Sequence, residues 1–390
     1  MQHNVFLQMW PIALAVFVGF LTIGLPLPVL PLHLHYTLGM SPVVVGVAIG
    51  AQFAAALLSR AWAGGLADTS GSKRAMTTGL LIAAISGMAY LASLAFMATP
   101  TTSLGVLLLG RVLLGCGESL IITGALSWGI GLVGPQNAGK VMAWVGIAIY
   151  AAYAGGAPLG TLIYGPYGFA GIALATSIIP LLALAVVAPA RALAVSSARR
   201  VPFYKMLGTV WVPGLGLFLC SSGFGVITTF IALLFAAKNW GSASLAFTAF
   251  GVAFIGARLL FAHLPDKIGG GKVALVCVLI EAVGLVLIWQ AGHVRTAYIG
   301  AAFTGFGYSL AFPGFGVEAV RRAPPQSRGV AMGAFMAFLD MSLGVTGPSA
   351  GAIANAAGVN SVYLAGAVAV ALSTIVAMAL IINPPLRLER

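Results

Sequence analysis

Long apolar stretches separated by short polar breaks run the length of the chain. Twelve can be drawn, over residues 7–34, 41–64, 74–97, 102–130, 138–164, 168–189, 208–237, 243–263, 272–291, 296–320, 329–356 and 360–383. Each is near or above the roughly 20 residues that carry an α-helix across a bilayer. No segment alternates with the ten-residue signature of a transmembrane barrel. Inside lipid the backbone must satisfy its own polar groups within each span, which leaves helices. The spans longer than about 25 residues imply tilt or interfacial ends.

Composition sharpens this pattern. Of the 390 residues, 60% are hydrophobic and only 7% charged, against about 25% charged in soluble domains. A core large enough to hide that apolar surface would need a polar shell that this chain lacks. The net charge of +12 reflects a shortage of acids, with 19 Lys and Arg against 7 Asp and Glu. No run of bases exceeds two, so nucleic acid is not expected as a partner.

The bases also carry topology. With the N-terminus inside, sixteen fall on the cytoplasmic side: Arg60, Lys73, Arg74, Lys140, Arg191, Arg199, Arg200, Lys205, Arg258, Lys267, Lys272, Arg321, Arg322, Arg328, Arg387 and Arg390. Lys238 and Arg295 fall outside, and Arg111 lies within a span. This positive-inside bias predicts twelve helices with both termini cytoplasmic, since one missed span would scramble the alternation downstream. The first span is too long for a signal peptide and lacks a basic leader. Cys116, Cys220 and Cys277 all sit in spans and read as free thiols. His33 and His35 read as interfacial anchors, and no metal site is expected.

The longest polar interruption, residues 190–207, divides the chain into two six-helix halves, 1–189 and 208–390. The halves repeat. Pro135-Gln136-Asn137-Ala138-Gly139 recurs as Pro325-Gln326-Ser327-Arg328-Gly329, and Ser119-Leu120 with Gly124 recurs as Ser309-Leu310 with Gly314. Pro158 matches Pro348, and Asp68 and Gly71 match Asp266 and Gly269. Parallel repeats of this kind are a transporter architecture, with the solute held between halves near the midplane.

The loop after the second span, Gly64-Gly65-Leu66-Ala67-Asp68-Thr69-Ser70-Gly71-Ser72-Lys73-Arg74, resembles motif A of the major facilitator superfamily. Gly64, Asp68, Gly71, Lys73 and Arg74 fit, while Thr69 stands where a base is usual. The second copy keeps Asp266, Lys267, Gly269 and Lys272 but has Ala262 and Gly271 at two motif positions. A tight interhelix turn needs glycine, an Asp can face a helix N-terminus, and the bases would sit at lipid headgroups. The resemblance implies a latch on the cytoplasmic side. Leu109-Gly110-Arg111-Val112-Leu113-Leu114-Gly115-Cys116-Gly117 looks like motif B, whose Arg is implicated in proton transfer. Gly146, Gly155, Gly156, Pro158 and Gly160 resemble a degenerate antiporter motif C, echoed by Gly347-Pro348-Ser349-Ala350-Gly351. Pro28-Val29-Leu30-Pro31 resembles a motif of drug-exporting families. Stretches 21–27 and 342–348 are similar to the bacterial YhhS/YfcJ-type permease subgroup, described as exporting sugars or drugs.

Charges within spans need a reason to be there, at about 2.5–3.5 kcal/mol each on insertion scales. Arg111 and Glu118 are seven residues apart, so they share a helix face with an axial offset of about 10 Å. A proton carrier at Glu118, tuned by Arg111, is the functional expectation, and a structural ion pair is the plain one. Asp340 is either interhelix glue or a second protonation site, since Gly344, Gly347 and Gly351 follow on its face. Glu281 is expected to hydrogen-bond a neighbour, Glu318 to join Arg321 and Arg322 near an inner gate, and Arg60 to snorkel or pair. Phe20, Tyr150, Tyr153, Phe224 and Tyr308 are candidate cavity aromatics.

No nucleotide-binding loop or catalytic constellation is evident. The expectation is an all-α inner-membrane protein of bacterial type, a multi-pass, monomeric, non-enzymatic transporter. It would take a small organic solute, sugar or drug-like amphiphile, with protons and membrane lipid as its other partners and no cofactor. Proton-coupled export is the leading mode, with symport or uncoupled facilitation in the same fold, or a channel or membrane enzyme, as alternatives.

Overall fold

The computed structural model describes residues 2–134, 137–193, 203–323 and 328–383. Among these the chain is helical, in thirteen α-helices: α1 (Gln2–Gly24), α2 (Leu30–Leu32), α3 (Pro42–Thr69), α4 (Ser72–Ser93), α5 (Pro100–Val133), α6 (Ala138–Val187), α7 (Phe203–Ala237), α8 (Ser244–Phe261), α9 (Leu264–Ile268), α10 (Gly270–Trp289), α11 (Val294–Arg322), α12 (Arg328–Ala357) and α13 (Ser361–Ile382). Nine are long and apolar enough to cross a membrane on length and composition alone. The twelve crossings expected from the sequence are accounted for as follows. α6 supplies two limbs, parted at Gly168, whose φ of 58° and ψ of −156° are not helical. α1 contributes the shorter apolar run Met9–Gly24, and α11 crosses with a glycine- and hydroxyl-richer face.

The first predicted span, 7–34, is not one helix. α1 stops at Gly24, and the chain re-forms helix only at Leu30. Pro26, Pro28 and Pro31 cannot donate backbone hydrogen bonds, so a continuous ladder is impossible there. α3 starts where local chemistry demands: Ser41 accepts from the Val44 amide at 3.5 Å, and Pro42 occupies the first helical position.

Packing is duplicated. In the first half α4 packs on α5, α1 on α6 and α3 on α5; in the second α10 packs on α11, α7 on α12 and α8 on α11. The halves meet through α3 against α12 and α6 against α8. The matched turn glycines Gly71 and Gly269 repeat their geometry, with φ of 96° and 98°, each capping the next long helix. That left-handed conformation is open chiefly to glycine. Large apolar side chains such as Leu58, Leu162, Leu259 and Leu260 stand exposed on the outside, as a lipid-facing surface requires. Of the predicted linker, residues 194–202 lie outside the described residues, as do Pro135-Gln136 and 324–327 of the repeat. α7 begins at Phe203, earlier than the span boundary at 208.

Candidate functional site: a cavity between the halves

Glycines decide how closely the halves approach. A side chain on Gly46 would collide with the Gly347 carbonyl, and one on Gly351 would meet the Pro42 carbonyl at 2.6 Å. Close approach of small residues lets helices touch backbone to backbone. On the other seam, Gly251 of α8 faces Tyr150 and Ala154, and the Thr248 hydroxyl donates to the Ala154 carbonyl at 2.9 Å. The contacts of the first seam lie at the ends of α3 and α12 remote from the base-rich loops, and those of the second near the middle of the first limb of α6 and of α8. Toward the base-rich end, Gly64, Gly139 and Gly333 have nothing within 4 Å of a side-chain position. The closest glycine contacts between the halves thus lie away from the base-rich loops.

Between them lies a narrow cavity lined by residues of both halves. Its wall is mostly aromatic and aliphatic. The structure brings Phe20, Tyr150, Tyr153 and Phe224 to it, together with Phe53 and Phe254. Tyr150 stacks on Phe254 at 3.7 Å between ring centres, and Tyr153 stacks on Phe224 at 5.7 Å, so the aromatic lining joins both halves. Tyr308 is not on the wall. It stacks behind Phe224 at 5.7 Å and shares a hydrogen bond with Ser221 at 3.2 Å.

Three charged side chains reach the cavity: Glu118 from α5, Arg258 from α8 and Asp340 from α12. Glu118 is buried, and its Oε2 accepts a hydrogen bond from Gln52 Nε2 at 2.6 Å. Gln52 is held there by close packing of α3 on α5: a side chain at Gly115 would overlap the Gln52 carbonyl. Asp340 forms an ion pair with Arg60, whose Nε donates to Asp340 Oδ2 at 2.7 Å. That pair bridges α3 and α12, hence the two halves.

Arg111 does not meet Glu118. Its Nε and Nη2 donate to the carbonyls of Ala48 and Ile49 at 3.1 and 3.2 Å, and its Nη1 reaches the Tyr90 hydroxyl at 3.4 Å. Helical spacing put both residues on one side of α5. The backbone of α3, which lies against that helix, supplies nearer acceptors, because a carbonyl engaged in a helix keeps a second lone pair. Glu281 also departs from expectation: neither carboxylate oxygen has a hydrogen-bond partner among the described residues. Glu318 is bridged by Arg322 at 2.8 Å and Arg321 at 3.5 Å.

The glycines of the fifth span divide unexpectedly. Gly156 and Gly160 pack on Gly24 and Leu25 of the same half, while Gly155 has open space. Only Gly146 looks across, toward Arg258. Pro158 is carried inside α6 and Pro348 inside α12, where it faces Gly46 and Gly50 of α3.

In the first loop, Asp68 is half-buried in the last turn of α3 and Arg74 is exposed. Lys73 ties the loop to α6. Its Nζ donates to the carbonyls of Ala188 and Ala190, both at 2.7 Å, beyond the C-terminal end of α6, where a cation is favoured. In the second loop, Lys267 and Lys272 are exposed, and the side chain of Asp266 lies outside the described residues.

Sequence reasoning missed two site residues, Gln52 and Arg258, and for Arg60 anticipated that it would snorkel or pair but not its partner. Gln52 carried no signal, since a lone amide in a span reads as packing. Arg60 and Arg258 were counted among the bases marking the cytoplasmic side, yet both are buried. Their signal was available: Arg60 stands eight residues before Asp68, and Arg258 eight before Asp266.

Twelve crossings in two like halves around a cavity between them define a membrane transporter of the secondary type. The chain belongs to the Major Facilitator Superfamily, whose description matches residues 12–237 and again 214–390. It is 43% identical over 366 residues to an MFS-type transporter of Salmonella typhimurium strain LT2, covering 94% of each chain. It is 45% identical over 380 residues to an MFS-type transporter of Burkholderia mallei strain SAVP1, covering 95% of this chain and 92% of the relative. The crystal structure of the nucleoside transporter NupG, as its D323A mutant, shares the fold with a TM-score of 0.75 at 14% identity, over 95% of this chain and 99% of that one. The protein is thus a multi-pass transporter and not an enzyme.

Proposed function

We propose that this chain moves a small organic solute across the bacterial inner membrane by alternating access, exporting it in exchange for protons. The observation that carries the reading is Glu118: a buried carboxylate on the cavity wall, tied to Gln52 and, among the described residues, to no base. Such a group can take up and release a proton without dismantling the bundle. In this reading the base-rich end is the cytoplasmic one, and solute enters the cavity from there. As the halves rock, the α3–α12 and α6–α8 seams would part at the outer end and close at the inner end. The Arg60–Asp340 pair lies on the first of these seams, where the motion must act on it. The Gly71 and Gly269 turns, with Asp68 and Asp266 beside them, would set the ease of inner closure. The aromatic wall suits an amphiphilic or ring-bearing solute.

Uptake by proton symport is the second reading. Arg258 favours it: a proton on Glu118 removes negative charge from a cavity that also holds an unpaired cation, which helps an anion enter alongside the proton.

The test is flux in proteoliposomes under an imposed pH gradient, with sugars and amphiphilic drugs as the first solutes. Export by exchange requires solute to move against the proton flow; symport requires the two to move together. In Glu118→Gln, pH-driven flux should vanish while solute counterflow persists. Full pH-driven flux in that variant would refute the role of Glu118.

A further inference from the structure

The repeat places residues of the two seams in matched positions. Arg60 and Arg258 precede the matched Asp68 and Asp266 by eight residues, and Asp340 and Tyr150 precede the matched Pro348 and Pro158 by eight. The seams follow the same symmetry, α3 on α12 and α6 on α8. On the first seam Arg60 meets Asp340 and its charge is neutralised. On the second the residue in the place of Asp340 is Tyr150, and Arg258 has no acid within ion-pairing distance among the described residues.

Arg258 is nonetheless built into the wall. It is 7% exposed. Its Nη2 donates to the Ser309 carbonyl at 2.7 Å, and Ser309 in turn donates to the Phe254 carbonyl at 2.7 Å. The guanidinium carbon lies 5.1 Å from the centre of the Phe254 ring, an arrangement that holds its plane. Nε has no hydrogen-bond partner among the described residues. Nη1 lies 3.8 Å from where a side chain on Gly146 of the other half would begin.

An arginine cannot shed its charge in a protein. While the cavity is open, water can solvate the guanidinium. When the halves close at the base-rich end, that water is excluded, and a lone buried cation strongly opposes closure. An anion delivered with the solute removes the obstacle, so its binding favours the closed state.

We propose that Arg258 is the docking point for an anionic group of the transported solute, and that the solute is an organic anion: a carboxylate, phosphonate or sulfonate head on Arg258, with an apolar or aromatic body against Tyr150, Tyr153 and Phe224. The planar fork of arginine matches such oxyanions in two-point contact. The proposal rests on the cavity being the solute site, as argued above, but not on the direction of transport.

The test uses the purified full-length protein in lipid nanodiscs, with binding followed by thermal stabilisation and equilibrium dialysis. The probes are benzoate, phenylphosphonate and benzenesulfonate, with benzamide as the neutral counterpart and benzylamine as the cationic one. At least one anion should bind ten times or more tightly than benzamide and benzylamine. Arg258→Gln should abolish that preference, bringing the anions to the level of benzamide, and Arg258→Lys should restore part of it. The inference is overturned if no anion shows Arg258-dependent binding, or if benzamide binds as well as the anions. The wild-type comparison of isosteres decides the matter even if Arg258→Gln fails to fold. Anion binding without pH-driven flux would sink the coupling reading and leave this one standing; Glu118-dependent flux of a neutral or cationic solute would do the reverse.

Discussion

Arg60 and Asp340 are 280 residues apart in sequence, yet Arg60 Nε donates to Asp340 Oδ2 at 2.7 Å across the boundary between the two halves. Both side chains are nearly inaccessible, at 8% and 4%. Removing one partner would leave a buried charge uncompensated, at a cost of roughly 3–5 kcal/mol. Arg60→Gln and Asp340→Asn should therefore each lower thermal stability markedly. The double substitution should be milder than the sum of the two. Additive losses, measured by fluorescence-detected thermal unfolding, would show that the pair contributes little.

Gly46 and Gly347 make the tightest contact of the seal. A side chain on either has no room, because backbone carbonyls stand where it would go. Gly347→Val should therefore bias the protein toward the state open at the opposite end. Cysteine labelling at Gly64 and Gly333, which have open space now, should fall, and labelling at Val43 should rise. The same valine at Gly155, where nothing lies within 4 Å, should change neither.

Turn chemistry gives a third expectation. Gly71 holds a φ of 96°, a conformation that costs a residue with a Cβ about 1–2 kcal/mol. Gly71→Ala and Asp68→Asn should both slow conformational exchange and turnover while leaving the preference among solutes intact. Turnover equal to wild type, measured as counterflow in proteoliposomes, would count against a latch in this loop.

Exposed and buried features were not equally legible in the sequence. The break after α1 could have been read from Pro26, Pro28 and Pro31, since a missing donor acts locally. The pairing of Arg111 could not. Periodicity says which residues share a face of α5, but not that the Ala48 and Ile49 carbonyls of α3 would be closer to that face than Glu118. The glycines of the fifth span teach the same lesson: their small size was evident, while the neighbour each admits, Gly24 for Gly156 and Leu25 for Gly160, depends on the packing of α1 on α6.

The sequence by itself determined the crossings, the duplication and the scarcity of charge, because each follows from the solvent: lipid demands apolar runs of fixed length, and a repeated chain repeats its helices. Only the tertiary structure decided which of the rare charges meet. It set Arg60 against Asp340, gave Glu118 to Gln52, and left Arg258 facing the cavity with no acid paired to it among the described residues. Those outcomes depend on how helices distant in sequence approach one another, and a few ångströms separate a neutralised pair from a binding site.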